Sequence, residues 1–309
     1  MPNYPMIVPL YSMTHFNEEI ESIYHSMISL ATPQLKLMAA ASVFLERPYF
    51  FEPLGEGLTG KYDQYPLYRT DLFDCVTYLD TVLTLLNSTN LLEFQQNILR
   101  VRYQNGVPAY QYRTDWFTDL EWLPNARALG WISDITPQMQ SPTNQPLTAI
   151  AKTVIDKPRW YQVKSMRALH HTETLPKERL EKLLIELRNE GNAFAATTSE
   201  ITYIPSSRLI DFDGKLNIEL FQQIPSGTVV VFVRPDWAIR DHFKDYPDGY
   251  GTNLNVCHVG LLLWKDDTLM LYNASASDAK VLAIPLADYL KRHLTTETIK
   301  GIHLEKIIF

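Results

Sequence analysis

The stretch "DLFDCVTYLD", residues 71–80, contains Cys75, one of only two cysteines among the 309 residues of the chain. Apolar residues recur at helical spacing after it and predict an amphipathic helix that runs through Leu86. Asp71 is the predicted N-cap, with Asp74 three residues later as a variant of the capping box. Cys75 therefore lies near a helix start, where it is either a small buried residue or a nucleophile.

Two features of this position act on a thiolate in opposite directions. Unpaired N–H groups and the helix dipole at a helix start favour the anion of Cys75. The carboxylate of Asp74 beside it disfavours a second negative charge. The position alone leaves both interpretations of Cys75 open.

The flanking segments predict an α+β fold with a mostly antiparallel sheet, because helices come first and closely spaced strands come later. Capping signals and amphipathic periodicity predict helices at residues 14–28, 33–47, 91–103 and 177–191. Apolar runs predict strands at residues 228–233, 256–264, 269–276, 280–284 and 301–309. Residues 48–70 hold three prolines and three glycines among many aromatic side chains, as in a structured loop that lines a site.

These elements are interpreted as one elaborated domain, residues 1–309, with four parts. The parts are an N-terminal helical part, a loop and helices around the cysteine, an insertion and a sheet: residues 1–47, 48–134, 135–200 and 201–309.

Composition excludes several classes of function. The net charge of −7 and the lack of a basic run argue against nucleic-acid binding. The sequence contains no run of 18 apolar residues, so no membrane span is predicted. The N-terminus lacks the segments of a signal peptide, so the protein is either not exported or begins after a removed leader. Two cysteines are too few for a disulfide framework or a cysteine-based zinc cluster, and His170 and His171 are interpreted as solvated loop residues, so no metal or other cofactor is expected.

His258 lies in a predicted strand, and the next strand follows a short turn. If that turn is centred between Lys265 and Asp266, Asn273 lies directly opposite His258. Opposed side chains share one face of a hairpin, so the carboxamide can orient the imidazole and fix its tautomer. Because strand side chains alternate, Cys257 is expected on the opposite face as a core residue.

A cysteine at a helix start, a histidine and an asparagine are the parts of a papain-like thiol site. The thiolate attacks a carbonyl, the imidazole takes and returns the proton, and the third group orients the ring. The backbone N–H of Cys75 can serve in the oxyanion hole.

Several segments in order resemble the NlpC/P60 superfamily of cysteine peptidases, in particular its branch similar to N-acetylmuramoyl-L-alanine amidases. They include "DLFDCVTYLDTVLTLL", "NLNVCHVGLLL" and "LYNASA", within a resemblance that covers about residues 38–309. The resemblance implies a papain-like core with a nucleophile helix packed on the sheet.

Carried over by position, the resemblance makes Cys75 the nucleophile, His258 the general base and acid, and Asn273 the third residue, where the family often has histidine. Tyr49 of "ERPY" matches the family's "GTPY" tyrosine that assists the oxyanion, although the glycine and threonine are missing. The other candidate residues are the alternative oxyanion tyrosines and the residues implied in substrate binding: Tyr62, Tyr65, Asp74, Asp115 and Trp116.

The implied function is cleavage of the N-acetylmuramoyl-L-alanine amide bond of peptidoglycan or its muropeptide fragments. The alternative enzyme is a γ-D-glutamyl-diamino-acid endopeptidase, in which Asp74 would bind a free amine. A second alternative is a catalytically silent binding module. The resemblance also implies a periplasmic or secreted protein, whereas the oligomeric state and the preferred peptide stay open.

Overall fold

The computed structural model describes residues 13–141, 146–238, 251–296 and 298–309. Within these ranges the chain has the predicted α+β architecture, with helices on both faces of an antiparallel sheet. No described helix is both long and apolar enough to cross a bilayer. The α-helices are α1 (Met13–Ile28), α2 (Pro33–Ser42), α3 (Cys75–Leu86), α4 (Leu91–Arg102), α5 (Leu123–Ala128), α6 (Lys157–Gln162), α7 (Lys177–Glu190), α8 (Ser206–Leu209), α9 (Ile218–Phe221) and α10 (Leu286–Arg292).

The sheet contains eight described strands in the order β2-β3-β8-β4-β5-β6-β7, with β1 paired to β8. The strands are β1 (Ile132–Asp134), β2 (Ala149–Ile155), β3 (Thr197–Pro205), β4 (Thr228–Ala238), β5 (Asn253–Lys265), β6 (Thr268–Ser275), β7 (Lys280–Pro285) and β8 (Gly301–Ile307). Every pairing between these strands is antiparallel.

The sheet begins earlier in the chain than the expected boundary at residue 201. β1 has only three residues, and β2 alternates exposed and buried side chains at an edge of the sheet. Neither strand contains the continuous apolar run from which the central strands were predicted, so the sequence did not reveal them.

Each face of the sheet packs against its own layer of helices. One face is covered by the helices α1 to α4, and its packed residues include Val231, Val259, Leu261, Leu79 and Val82. The other face is covered by the short helices α9 and α10, and its packed residues include Val230, Phe232, Leu262, Leu286 and Leu290. The strand β5 therefore lies between α3 and α10.

Helix α3 begins at Cys75, and its N-cap is Asp74 rather than the predicted Asp71. The Asp74 side chain accepts from the backbone N–H of Thr77, and the Thr77 hydroxyl accepts from the backbone N–H of Asp74, which completes a capping box. Asp71 instead forms a two-point ion pair with buried Arg69, at 2.6 Å for each contact. The ion pair with Arg69 therefore leaves Asp74 as the N-cap of α3, and the sequence alone does not reveal this tertiary contact.

The β5–β6 hairpin turns at Asp266 and Asp267, so Lys265 pairs with Thr268. The predicted direct opposition of His258 and Asn273 is therefore wrong by two residues. Because the side-chain period of a strand is two, this even shift keeps both side chains on one face. They become diagonal neighbours, which polar side chains of this length can bridge.

A β-bulge precedes His258. Phe232 of β4 pairs with His258, and the next residue, Val233, pairs with Val256, which leaves Cys257 as the extra residue. The expectation that Cys257 faces away from His258 is wrong, because the bulge turns it toward the cluster that contains Phe232. Its thiol is half-buried and donates to the Phe232 carbonyl at 3.4 Å.

Candidate active site

His258 and Asn273 meet on the face of the sheet that α10 covers. The imidazole Nε2 of His258 lies 2.9 Å from the carboxamide Oδ1 of Asn273, which is fully buried. A carboxamide oxygen only accepts hydrogen bonds, so Nε2 carries the proton and donates it. In the neutral ring the lone pair is then on Nδ1, the atom that can act as a base.

Gly260, the glycine of "HVG", gives these side chains room. A Cβ at this position would lie 2.6 Å from Leu271 Cδ1, 3.0 Å from the Tyr272 carbonyl oxygen and 3.2 Å from Asn273 Cβ. The first two distances are shorter than ordinary contacts between such atoms. The close approach of β6 thus requires glycine at this point of β5.

The surroundings of His258 favour its neutral form. Burial lowers the pKa of the imidazole to about 4, the bond to Asn273 opposes this shift, and the charge of His293 adds to it. The ring is therefore uncharged at neutral pH, and its Nδ1 lone pair can accept a proton.

Cys75 is the first residue of α3 and is half-buried. The β5–β6 ladder ends at the pair Leu261–Tyr272. Beyond that point the backbone N–H of Val259 donates toward the Cys75 sulfur. Because Val259 follows His258 in β5, the helix start places the sulfur beside the part of the strand that carries the imidazole.

The resting form of Cys75 is the thiol. Burial raises its pKa to about 12, and the Asp74 charge raises it further, while the N–H groups of Val259 and Val76 act in the opposite direction. Burial therefore outweighs the effect of the helix start on the pKa of the thiol. The Cys75 thiol and the His258 imidazole are therefore both uncharged at neutral pH.

The backbone N–H of Cys75 makes no hydrogen bond to any residue in the described part of the chain. This is the usual condition of the first N–H groups of a helix, which have no partner within the helix. The group can therefore donate to an oxygen that develops negative charge beside the sulfur.

Asp74 uses both carboxylate oxygens within the protein. Oδ1 accepts from the Thr77 N–H at 2.8 Å, and Oδ2 accepts from the Glu52 N–H at 3.2 Å. Burial raises the pKa of Asp74 to about 6. Its evident role is to cap α3 and to tie the 48–70 loop to the helix start.

The three tyrosines considered for the oxyanion have different surroundings. Tyr49 pairs through its backbone with Phe73, two residues before Cys75, and is half-buried. The Tyr62 hydroxyl donates to Glu190 at 2.6 Å and is therefore engaged elsewhere. The ring of Tyr65 stacks on His170, with centroids 4.0 Å apart. Of the three, Tyr49 is the one that the backbone holds beside the start of α3.

Asp115 and Trp116, expected to contact substrate, lie in a cluster of aromatic and charged side chains. Asp115 Oδ2 accepts from buried Arg102 at 3.4 Å. The Trp116 ring lies 4.6 Å from that of Tyr110 and 4.5 Å from that of Trp160, measured between centroids. Both residues are half-buried, so this cluster anchors them while part of each side chain faces solvent.

Sequence reasoning missed two charged residues of this cluster, Glu52 and Lys164. The buried Lys164 ammonium lies 3.4 Å from the Trp160 ring centroid, and burial lowers its pKa to about 8 against the attraction of Glu52. Glu52 has a positive φ of 51° and donates its N–H to Asp74. The aromatic loop at residues 48–70 was the only signal for this region, and it named no specific residue.

A separate group of acidic and histidine side chains lies on β1 and β8. Atoms of Asp134, His303 and Glu305 approach within 4.8 Å of one another. The Arg127 guanidinium contacts Glu305 and lies 3.2 Å from His303 Nε2. A protein cation therefore already neutralises these groups, and the network joins α5 to β8.

The expectation that His170 is a solvated loop residue is wrong. Its ring is half-buried, its Nδ1 lies 3.2 Å from Asp63 Oδ1, and it stacks on Tyr65. His171 is also half-buried, and burial lowers its pKa. The contact with Asp63 links the segment before α7 to the 48–70 loop.

Comparisons with known proteins identify the family of the chain. A model of the AmiA-like family, described as N-acetylmuramoyl-L-alanine amidase-like, matches residues 39–298. A crystal structure of a Legionella pneumophila protein of the family DUF1460 is 32% identical, covers 96% of both chains and superposes with a TM-score of 0.88.

A more distant structure shares the fold. An N-acetylmuramoyl-L-alanine amidase from Bacteroides uniformis is 19% identical and superposes with a TM-score of 0.59, over 90% of this chain and all of that one. No curated protein matches the chain. Because the family model spans most of the sequence, the chain belongs to the AmiA-like, N-acetylmuramoyl-L-alanine amidase-like family.

Proposed function

We propose that this protein is a cysteine amidase that cleaves the bond between the muramyl lactyl group and L-alanine in peptidoglycan. The observation that carries the proposal is the 2.9 Å hydrogen bond between His258 and Asn273. His258 lies on β5, and the sulfur of Cys75 accepts from the backbone N–H of the next residue of that strand, Val259. Family membership supplies the amidase reaction, and the site supplies the nucleophile and the base.

In the proposed reaction, Nδ1 of His258 takes the proton of the Cys75 thiol as the sulfur attacks the lactyl carbonyl carbon. The oxygen becomes an oxyanion and accepts from the Cys75 N–H. The imidazolium then gives its proton to the alanine nitrogen, and the free stem peptide leaves. The imidazole next takes a proton from water, which attacks the thioester carbonyl carbon. The imidazolium returns this proton to the departing sulfur, which restores the thiol and releases the lactyl carboxylic acid.

The neutral resting pair suits this sequence of steps. A thiol with a raised pKa and an imidazole with a lowered pKa do not exchange a proton before the substrate arrives. Proton transfer therefore accompanies attack on the carbonyl. Asn273 keeps the Nε2 proton in place throughout, so Nδ1 stays the reacting atom.

The engaged carboxylate of Asp74 favours the amidase over the endopeptidase alternative. An endopeptidase that binds a free alanine amine through Asp74 needs a carboxylate oxygen directed at substrate. Both oxygens of Asp74 instead accept from protein N–H groups. We also infer a papain-like NlpC/P60 relationship from this arrangement, and a periplasmic or secreted location from the proposed substrate.

Mass spectrometry of products from defined muropeptides tests the proposal. The wild type should release an intact stem peptide beginning with L-alanine, and Cys75→Ala should release nothing while keeping its fold. Cys257→Ala is the matched control and should retain cleavage. A cut inside the stem supports the endopeptidase, and no cleavage by the wild type supports a binding module.

A second comparison isolates the role of Asp74. Asp74→Asn keeps an N-cap side chain that accepts from Thr77, because asparagine caps helices about as well as aspartate. The variant should therefore retain muropeptide cleavage. Selective loss of cleavage with substrates that have a free alanine amine would assign Asp74 to amine binding instead.

A further inference from the structure

Two aromatic rings that the proposed reaction does not use lie together beside the imidazole of His258. The centroid of the Phe232 ring lies 5.6 Å from that of the imidazole, with the planes 24° apart. The centroid of the Tyr289 ring lies 6.0 Å away, with the planes 23° apart. These two rings also contact each other, at 4.6 Å between centroids. His258 therefore packs against rings from two different elements.

Tyr289 is held in this place by α10. Leu286 and Leu290 of the same helix are buried in the cluster that contains Phe232. The residue after the helix, His293, brings its ring to 5.0 Å from that of Tyr289. The position of the Tyr289 ring is thus set by apolar packing at both ends of a short helix.

The hydroxyl of Tyr289 has no hydrogen-bond partner within the described ranges. The side chain is half-buried, and its ring covers part of the surroundings of the half-buried His258 imidazole. A ring in this place acts on the imidazole by two routes: it excludes water, and it limits rotation of the ring plane. Both effects preserve the bond between Nε2 and Asn273.

We propose that Tyr289 is a positioning residue for the reaction, and that its ring holds the His258 imidazole in plane with Asn273 and shields that hydrogen bond from water. The inference rests on the proposed function for its effect on catalysis. Its effect on His258 itself does not require a substrate. The role belongs to the ring and not to the hydroxyl.

Burial is the largest cause of the low pKa of His258, which agrees with a shielding ring. Other groups act on this region and stay unchanged in the test. They are His293 and Arg292 at the end of α10, Asp278 before β7, Cys257 on β5, Arg234 on β4, and Cys75 with Asp74 at the start of α3.

The test compares Tyr289→Phe, which keeps the ring, with Tyr289→Leu, which removes it. The pKa of His258 is measured by NMR titration, with the signal assigned by its loss in His258→Gln. Tyr289→Phe should leave this pKa and kcat/KM near the wild-type values. Tyr289→Leu should raise the pKa toward the ordinary value of about 6.5 and lower kcat/KM by roughly 10-fold to 100-fold.

Tyr203→Leu is the matched control, because Tyr203 lies on β3, away from β5, and should not move the His258 pKa. Thermal unfolding checks each variant, and Tyr289→Met replaces the leucine variant if that one does not fold. An unchanged His258 pKa in the folded variant without the ring would overturn the inference. A Tyr289→Phe variant as impaired as Tyr289→Leu would also overturn it, because the hydroxyl would then be responsible.

The titration separates this inference from the proposed function. If the wild type cleaves no muropeptide but the loss of the ring still raises the His258 pKa, the function fails and the role of Tyr289 stands. If cleavage occurs and the pKa does not move, the function stands and the inference fails.

Discussion

At the scale of single residues, the uncharged Asn273 determines how His258 can act. An asparagine fixes which ring nitrogen carries the proton, but it does not stabilise an imidazolium as a carboxylate does. Burial then dominates and lowers the pKa of the imidazole to about 4. The His258 imidazole is therefore weakly basic, and it is unprotonated at neutral pH.

A carboxylate in place of Asn273 should make His258 more basic. Asn273→Asp should move the acid limb of the kcat/KM profile upward by about one to three pH units, because the opposite charge favours the imidazolium. Asn273→Ala should reduce turnover less than His258→Ala, since an orienting group is partly replaceable. An acid limb that does not move in Asn273→Asp would contradict the contact between Nε2 and this side chain.

The depressed pKa of His258 also predicts how stability depends on pH. The unfolded chain binds a proton at about pH 6.5, whereas the folded chain binds it only near pH 4. Stability from the neutral ring is therefore fully present above pH 6.5 and is lost as the pH falls toward 4. Asp74, whose pKa is raised to about 6, has the opposite sign.

The measurement is the difference in unfolding free energy between the wild type and His258→Gln in urea. On going from pH 7 to pH 4 the wild type should lose roughly 3 kcal/mol relative to the variant. Subtracting the variant removes the contribution of Asp74 and other carboxyls. A difference that stays constant with pH would mean that His258 titrates normally in the folded protein.

The raised pKa of Cys75 predicts slow alkylation at neutral pH. In a Cys257→Ala background, the rate of iodoacetamide labelling of Cys75 should keep rising above pH 9, because the thiolate is the reactive form. Asp74→Asn should shift this rise to lower pH by removing a negative charge. A rate that reaches a plateau between pH 5 and pH 8 would instead indicate a preformed thiolate.

At the scale of elements, local signals in the sequence predicted five of the ten described α-helices and the central strands, and tertiary contacts decided the details. Thr32 caps α2, and Gly191 follows α7, as their sequence signals indicated. The hairpin turn lies one residue later than expected, which shifts each pairing by two and preserves the shared face of His258 and Asn273. The bulge at Cys257 has no signal in the sequence, because its neighbours are ordinary strand residues.

The close approach of β5 and β6 at Gly260 predicts the effect of adding one methyl group there. Gly260→Ala should destabilise the protein by about 1 to 3 kcal/mol, because the new Cβ would meet Leu271 and the Tyr272 carbonyl. It should also lower kcat by displacing Asn273 from His258.

Denaturant unfolding and steady-state kinetics measure the two effects of Gly260→Ala. Gly130→Ala is the control for a glycine with nothing within 4 Å of the added Cβ, although its positive φ adds backbone strain. A Gly260→Ala variant with wild-type stability and kcat would mean that β6 is free to move away.

At the scale of the whole molecule, the sequence predicted the α+β fold class with a mostly antiparallel sheet, but not the order of the strands. β8, at the end of the chain, lies between β3 and β4. No local pattern specifies this placement, which depends on how the faces of distant strands pack. The network of Arg127, His303 and Glu305 illustrates the point, since it joins residues more than 170 positions apart.

The same packing sets the start of α3 against β5, the strand that carries His258. Cys75 comes from the helical half of the chain, whereas His258 and Asn273 come from the sheet, and α3 packs directly on β5. Their side-chain types were readable from the sequence. The burial of Cys75 could not be read from the sequence, and it outweighs the effect of the helix start on the pKa of the thiol.

The central claim is that the sulfur of Cys75 forms a thioester with the muramyl lactyl group. Acid-quenched reactions with a defined muropeptide, followed by mass spectrometry of the digested protein, test it most directly. A muramyl acyl group should appear on the peptide that contains Cys75, should form before the free acid and should be absent in Cys75→Ala. An acyl group that contains alanine, an adduct on Cys257, or turnover by Cys75→Ala would contradict it.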